Sequence, residues 1–224
     1  MLDNSVLFIL EALVTLLFVL IAFRLGKTWL IALIAVSVVL MNIFVIKGMY
    51  LFGLAVTGGN VLYGSTSLAI DVINEHYGRK EATKAVMTGF FVTVFFLISS
   101  QFILHFQPAD YDIAQSSLAT LFTLTPRIVI GSMIAYLVAE NLDVWLFTKI
   151  KKLTGEKYLW LRATGSTWIS QLVDSITFTV IAFAGVYPLF DLILFTYLIK
   201  IIVSILDTPF IYLTRHFKPK ELCN

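Results

Sequence analysis

Seven apolar stretches, each long enough to cross a bilayer, take up most of this 224-residue chain. They are Ser5–Phe23, Thr28–Ile46, Met49–Ile73, Ala85–Leu104, Ile128–Phe147, Leu161–Tyr187 and Leu189–Leu213. A hydrocarbon core about 30 Å thick takes about 20 apolar residues wound as a helix. Lipid offers no partner to backbone N–H and C=O groups, so stretches of this length fold as helices. Composition agrees: 59% of residues are hydrophobic and 13% charged, too few charges to coat soluble domains. A net charge of +2 gives no footprint for nucleic acid, and the single cysteine, Cys223, excludes a disulfide framework or a cysteine-based metal centre. The expected fold class is all-α: a polytopic membrane bundle of about six to seven helices, one integral-membrane domain over residues 1–224. The first stretch has no basic residue before it and no small-residue cleavage site after it, so it reads as a span and not a removable signal.

Basic residues set the expected orientation. Arg24 and Lys27 follow the first stretch, Arg79, Lys80 and Lys84 the third, Lys149, Lys151, Lys152 and Lys157 the fifth, and Arg215, Lys218 and Lys220 the last. The alternate connections hold little more than Lys47 and Arg127. Because Lys and Arg gather in cytoplasmic loops, the N-terminus is expected outside and the C-terminus inside. In the third stretch, Gly58-Gly59-Asn60 and Gly64 interrupt the apolar run and mark a candidate unwound segment. The longest connection, His105–Pro126, carries the mildly amphipathic stretch Ala114–Phe122, expected on the outer surface.

The chemistry lies in the ionisable residues within spans. Each costs about 2.5–3.5 kcal/mol at a helix centre on insertion scales and therefore faces protein or a wet cavity. Ser67, Asp71 and Glu75 share one helical face of the third stretch. Ser132, Tyr136, Glu140 and Asp143 form a stripe on the fifth, Thr167, Gln171, Asp174 and Phe178 on the sixth, and Tyr197, Lys200, Ser204 and Asp207 on the last. Four stripes imply a shared cavity, expected to be polar from the midplane to the cytoplasmic side. Its carboxylates outnumber the cations Lys200 and Arg162, so some are expected to take protons or ligand donors. Glu75, Asp143 and Arg162 also lie near enough to the inner interface to snorkel or pair with loop lysines. Glu11 stands alone on its helix, and His76, His105 and His216 have no metal-ligand spacing. Trp29, Tyr158, Trp160 and Tyr187 read as interfacial belts, while Trp145 and Trp168 lie beside polar stripes. Pro209 is expected to loosen the last turns of the final helix.

Four segments carry a resemblance. STSLAIDVINEHYGRKEA (residues 65–82), AYLVAENLDVWLF (135–147), WLRATGSTWISQLVDSITF (160–178) and LDTPFIYL (206–213) resemble the YhhQ-type queuosine precursor transporters, within the vitamin uptake transporter group. The likeness runs from about residue 45 to the C-terminus. It implies uptake, across a bacterial inner membrane, of a 7-deazaguanine such as 7-cyano-7-deazaguanine, its aminomethyl relative or queuine. The matching positions are Asp71, Asn74, Glu75, Asp143, Arg162, Ser166, Thr167, Gln171, Asp174 and Asp207. Three departures bear on ligand choice: Gly64-Ser65 where a proline is frequent, Ala163-Thr164 where asparagines are frequent, and Glu140 where glutamine is frequent.

A guanine-like ring presents an N–H beside an amino group, which one carboxylate accepts as a bidentate pair. Asp174 or Glu140 is the expected acceptor. Gln171, Arg162 or Lys200 would donate to the ring carbonyl, and Trp168 or Phe178 would pack on its face. The expected partners are this small planar substrate and the lipid bilayer, with no nucleic acid directly; no cofactor is expected, and a homo-oligomer is compatible. One rival is the substrate subunit of an energy-coupling-factor importer, whose docking helix uses small residues four apart; no such pair stands out. An intramembrane enzyme is the other rival, and the chain has neither GxSxG nor HExxH.

Overall fold

A computed structural model describes residues 3–122, 126–155, 157–185, 189–217 and 219. Tyr187, Pro188, Lys218, Lys220, Cys223 and the side chain of Arg127 lie outside the described residues. The helices are α1 (Asn4–Leu25), α2 (Lys27–Phe44), α3 (Tyr63–Tyr77), α4 (Arg79–His105), α5 (Gln115–Phe122), α6 (Pro126–Thr154), α7 (Leu159–Phe183) and α8 (Leu189–Leu213). Between α2 and α3 come strands β1 (Gly48–Leu51) and β2 (Leu54–Thr57) and a 3-10 turn, Gly58–Val61. The chain is an all-α polytopic bundle with this one small hairpin among its described residues.

Five helices, α1, α2, α4, α6 and α8, are long and apolar enough to cross a membrane. α7 has 25 residues and carries the polar stripe; α3 has only 15. The third apolar stretch is therefore not a continuous span. Its first part is the hairpin β1–β2, whose two-residue turn puts Phe52 at φ +52° and Gly53 at φ +80°. Positive φ at both central positions gives the twist that antiparallel neighbours need. The 3-10 turn then packs on the end of α2. A Cβ on Gly58 would stand 2.7 Å from the Phe44 carbonyl oxygen, so only glycine fits that approach.

The hairpin and α3 together occupy the third apolar stretch. Contacts at the two ends of the bundle show that the segments alternate in direction. At one end, Asn4 Nδ2 donates to the Tyr50 carbonyl (3.4 Å) and Gln101 Nε2 to the Phe122 carbonyl (3.2 Å). α5, with no buried residue, lies at that end. At the other end, Lys27 pairs with Glu81 at 2.8 Å, and the Tyr212 hydroxyl accepts from the Trp160 amide at 3.1 Å. Lys151 and Arg215 lie there too, beside Glu75. Single glycines make both tight corners: Gly26 (φ +120°) between α1 and α2, and Gly78 (φ +86°) between α3 and α4.

α3 is the axis of the molecule. Every residue from Tyr63 to Asn74 is buried, with α1, α2, α4, α6 and α8 packed around it. Those neighbours bring Leu16, Val19, Leu30, Ile34, Val38 and Val86 to its apolar side. Polar α3 could not face lipid, and this sleeve is what admits it to the membrane. Glu11, in contrast, lies on the exposed side of α1. α8 continues past Pro209 to Leu213, so the helix is not broken there. α6 does carry a small-residue pair four apart, Ala135 and Ala139, but both are buried within the bundle and present no docking surface.

α3 and α8 approach closely at Gly64, where a Cβ would stand 2.3 Å from Val203 Cγ1. Gly64→Ala should cost roughly 1–3 kcal/mol through overpacking, read as a lower thermal unfolding midpoint in detergent. Adding Val203→Ala, which removes the clashing methyl, should recover most of that loss.

Candidate functional site

The bundle holds a cavity of about 610 Å³ between the hairpin, the 3-10 turn, α2, the start of α3, α4, α6, α7 and α8. Small-molecule sites typically occupy about 300–1,000 Å³. Tyr63, Phe90, Tyr136 and Phe178 give it aromatic walls, and Asn42, Asn60, Thr93, Glu140, Asp174 and Lys200 give it polar groups. Tyr50 of the hairpin lines it and is 71% exposed, so the cavity reaches the surface at that end. The open volume thus lies between the midplane and the hairpin end, opposite to the half expected from the sequence.

Two acidic groups face this space in different states. Asp174 is paired with Lys200, whose ammonium also sits over the Tyr63 ring, 5.0 Å from its centroid. Glu140 is 4% exposed, lines the cavity, and makes no hydrogen bond or ion pair among the described residues. Asn60, brought to the wall by the 3-10 turn, likewise makes no side-chain hydrogen bond among the described residues. A buried carboxylate and a buried amide left open towards one cavity are groups waiting for donors and acceptors from a ligand.

One turn along α6 from Glu140 lies a second, packed layer. Asp143 Oδ1 accepts from Ser170 Oγ at 3.0 Å. Asp71 and Asp143 face each other across the α3–α6 contact within hydrogen-bonding reach. Asp207 and Gln171 are buried here too. None of these four lines the cavity.

The third layer closes the opposite end. Arg162, fully buried, forks onto Glu75: Nε donates to Oε2 at 3.0 Å and Nη2 to Oε1 at 2.5 Å. Lys151 Nζ lies 3.0 Å from Oε2, and Arg215 Nη2 lies 3.7 Å from Oε1. Arg162 Nη1 also donates to the Gly155 carbonyl at 2.9 Å. One carboxylate thereby ties α3 to α6, α7 and the segment after α8. Above it, Asn74 bolts α3 to α6, donating to the Val144 carbonyl and accepting from Thr148 Oγ1, both at 3.1 Å.

The twelve site residues expected from sequence therefore separate by depth. Glu140, Asp174, Phe178 and Lys200 border the cavity; Asp71, Asp143, Gln171 and Asp207 pack beneath it; Asn74, Glu75 and Arg162 lock the far end. Trp168 is outside all three, 39% exposed with Nε1 donating to Ser204 Oγ at 2.8 Å. Sequence reasoning missed Asn60, Asn42, Tyr63, Phe90 and Thr93 as cavity wall. The signal for Asn60 was the Gly-Gly-Asn break inside an apolar stretch, because irregular backbone at membrane depth occurs where it lines a cavity.

Breaking a buried ion pair leaves a charge stranded and costs about 3–5 kcal/mol. Arg162→Ala should fall near the lower figure because Lys151 stays beside Glu75. The expected readout is a clear loss of thermal stability in detergent, with Glu140→Gln close to wild type in the same assay because Glu140 has no protein partner to lose.

Comparison with known proteins places this arrangement. Residues 57–214 match the family model described as "Putative vitamin uptake transporter". The chain is 40% identical over 200 residues to a Bacillus subtilis protein named "Probable queuosine precursor transporter", a match covering 88% of this chain and 87% of the relative. No solved structure matches the chain. A multi-pass helix bundle with a polar cavity, matched over most of its length by these proteins, belongs to the vitamin uptake transporter family.

Proposed function

We propose that this chain imports a queuosine precursor, a 7-deazaguanine such as 7-cyano-7-deazaguanine, its aminomethyl relative or queuine, with the cavity around Glu140 as the binding site. The name of the Bacillus subtilis relative supports the substrate class. The observation that carries the site is Glu140, a buried carboxylate with no hydrogen-bond or ion-pair partner among the described residues, facing a cavity of about 610 Å³.

The chemistry of the ring fits what the cavity offers. Glu140 accepts the adjacent ring N–H and exocyclic amino group as a bidentate, charge-assisted pair. Asn60, or Lys200 held by Asp174, donates to the ring carbonyl. Phe178 and Tyr63 supply flat apolar walls for the faces of the heterocycle. Gln171 and Arg162, the other donors expected from sequence, lie away from the cavity and support the layers beneath it. The whole chain acts as one membrane-embedded carrier and not as a catalyst.

Orientation follows from charge. The end that gathers Arg24, Lys27, Arg79, Lys80, Lys151 and Arg215 is the cytoplasmic one, which puts the hairpin and the mouth of the cavity outside. This is the outward-facing arrangement of a transporter in a bacterial cytoplasmic membrane, closed at its inner end by Glu75 and Arg162. A reporter that works only in the cytoplasm should be active when fused to the C-terminus and silent at the N-terminus; the reverse result would invert the carrier.

Each hydrogen bond to a charged group is worth about 1.5–3 kcal/mol, so Glu140→Gln should weaken saturable uptake of labelled 7-cyano-7-deazaguanine by roughly 10- to 150-fold. Uptake is measured in cells lacking their own carrier, with protein levels matched. Unchanged uptake by Glu140→Gln would refute the assignment.

A further inference from the structure

Beneath the cavity the buried polar atoms do not balance. Asp71 Oδ1, Asp143 Oδ2 and Gln171 Oε1 are acceptors sealed from solvent with no donor in reach. Asp71 is 4% exposed and Asp143 is 1% exposed. No Lys or Arg pairs with Asp71, Asp143 or Asp207 among the described residues: Lys200 is taken by Asp174, and Arg162 and Lys151 by Glu75. The charged and titratable groups around Asp71 are Asp143 and Glu140 from α6 and Asp207 from α8. Asp174 with Lys200 and Tyr63 lie beyond them on the cavity side, and Glu75 with its cations lies on the other. α1, α2 and α4 meet α3 chiefly through apolar side chains. Two facing carboxyls, neither with a cation and each with one oxygen that no donor reaches, are completed by a proton, which turns one of those oxygens into the missing donor.

The position of the pair couples it to the rest of the molecule. Tyr63, Ser67, Asp71 and Glu75 are four residues apart along one face of α3. One rigid helix therefore joins the cavity wall, the acid pair and the ion-pair clamp. On α6, Glu140 and Asp143 are three apart, so the ligand carboxylate and the pair sit on successive turns. Charging the pair would drive α3 from α6 at the midpoint between the cavity and the clamp.

We propose that Asp71 and Asp143 form a proton-binding site, that the proton is carried inward with the substrate, and that its departure to the cytoplasmic side resets the carrier. This rests on the transport reading above. The proton balance is simple: one proton enters the pair from the cavity side with each substrate and leaves at the opposite end. For that stoichiometry an inward gradient of one pH unit sustains about tenfold accumulation. The driving force grows as the outside is made more acidic than the inside.

The test uses the purified full-length chain in two assays. In proteoliposomes containing a pH-sensitive dye, external 7-cyano-7-deazaguanine should acidify the lumen, and an inward pH gradient should drive accumulation. Asp71→Asn and Asp143→Asn should abolish both signals, while Asp71→Glu, which keeps a carboxyl, should retain the dye response. Accumulation by a sodium gradient at equal pH, or substrate uptake with no dye response, would overturn the proposal. The second assay needs no substrate. Infrared difference spectra over a pH titration should show the carbonyl band of a protonated carboxyl in the wild type and its loss in both asparagine variants. Absence of that band in the wild type would overturn the proposal, whereas failure of the wild type to exchange labelled 7-cyano-7-deazaguanine would count against the substrate alone.

Discussion

A backbone that leaves the helix inside a bilayer must find all its hydrogen-bond partners in protein, and this constraint organises the molecule. The hairpin β1–β2 and the 3-10 turn satisfy part of it by pairing with each other and with the end of α2. The rest is met by enclosure. α3 follows directly and is buried over its first twelve residues, walled by five other helices. Because that wall excludes lipid, α3 can carry Asp71, Asn74 and Glu75, whose polar groups would be costly against lipid.

The polar interior is graded along the membrane normal, and the grading follows from pairing. At the end away from the hairpin Glu75 meets Arg162, Lys151 and Arg215, and the result is closure. In the middle, carboxyls meet one another and hydroxyls, with acceptors left over. Towards the hairpin, Glu140 and Asn60 meet empty space. The same residue types are thus ion-paired, packed against one another or left open to the cavity according to what faces them. A buried salt bridge is weak support for stability in general because desolvation offsets the Coulomb gain. Here its bidentate geometry and the additional cations make the Glu75 cluster the place where several helices are held in one arrangement.

Much of this was legible in the sequence, for reasons of period and length. Apolar runs near twenty residues marked six helices, and steps of three and four picked out the inward stripes on α3, α6, α7 and α8. The hairpin was not legible. Its strands are four residues each, and its turn is Phe52-Gly53 and not the Asn-Gly that usually signals such a turn. Only the glycines around Asn60 hinted that the third stretch was interrupted. Pairing was not legible either: Glu75 and Arg162 are 87 positions apart, and nothing local distinguishes Glu75 from Glu140. The location of the cavity was out of reach for a deeper reason, since empty volume depends on how side chains from eight segments fail to meet.

Where the ligand sits decides between these roles for the cavity and the layers beneath it. The most direct measurement is a structure of the full chain in lipid with a 7-deazaguanine bound. The expected result is the ring in the hairpin-side cavity, its amino edge on Glu140 and its carbonyl turned to Asn60 or Lys200. A ligand seated instead against Arg162 and Glu75, or on the lipid-facing exterior beside Trp168, would contradict it.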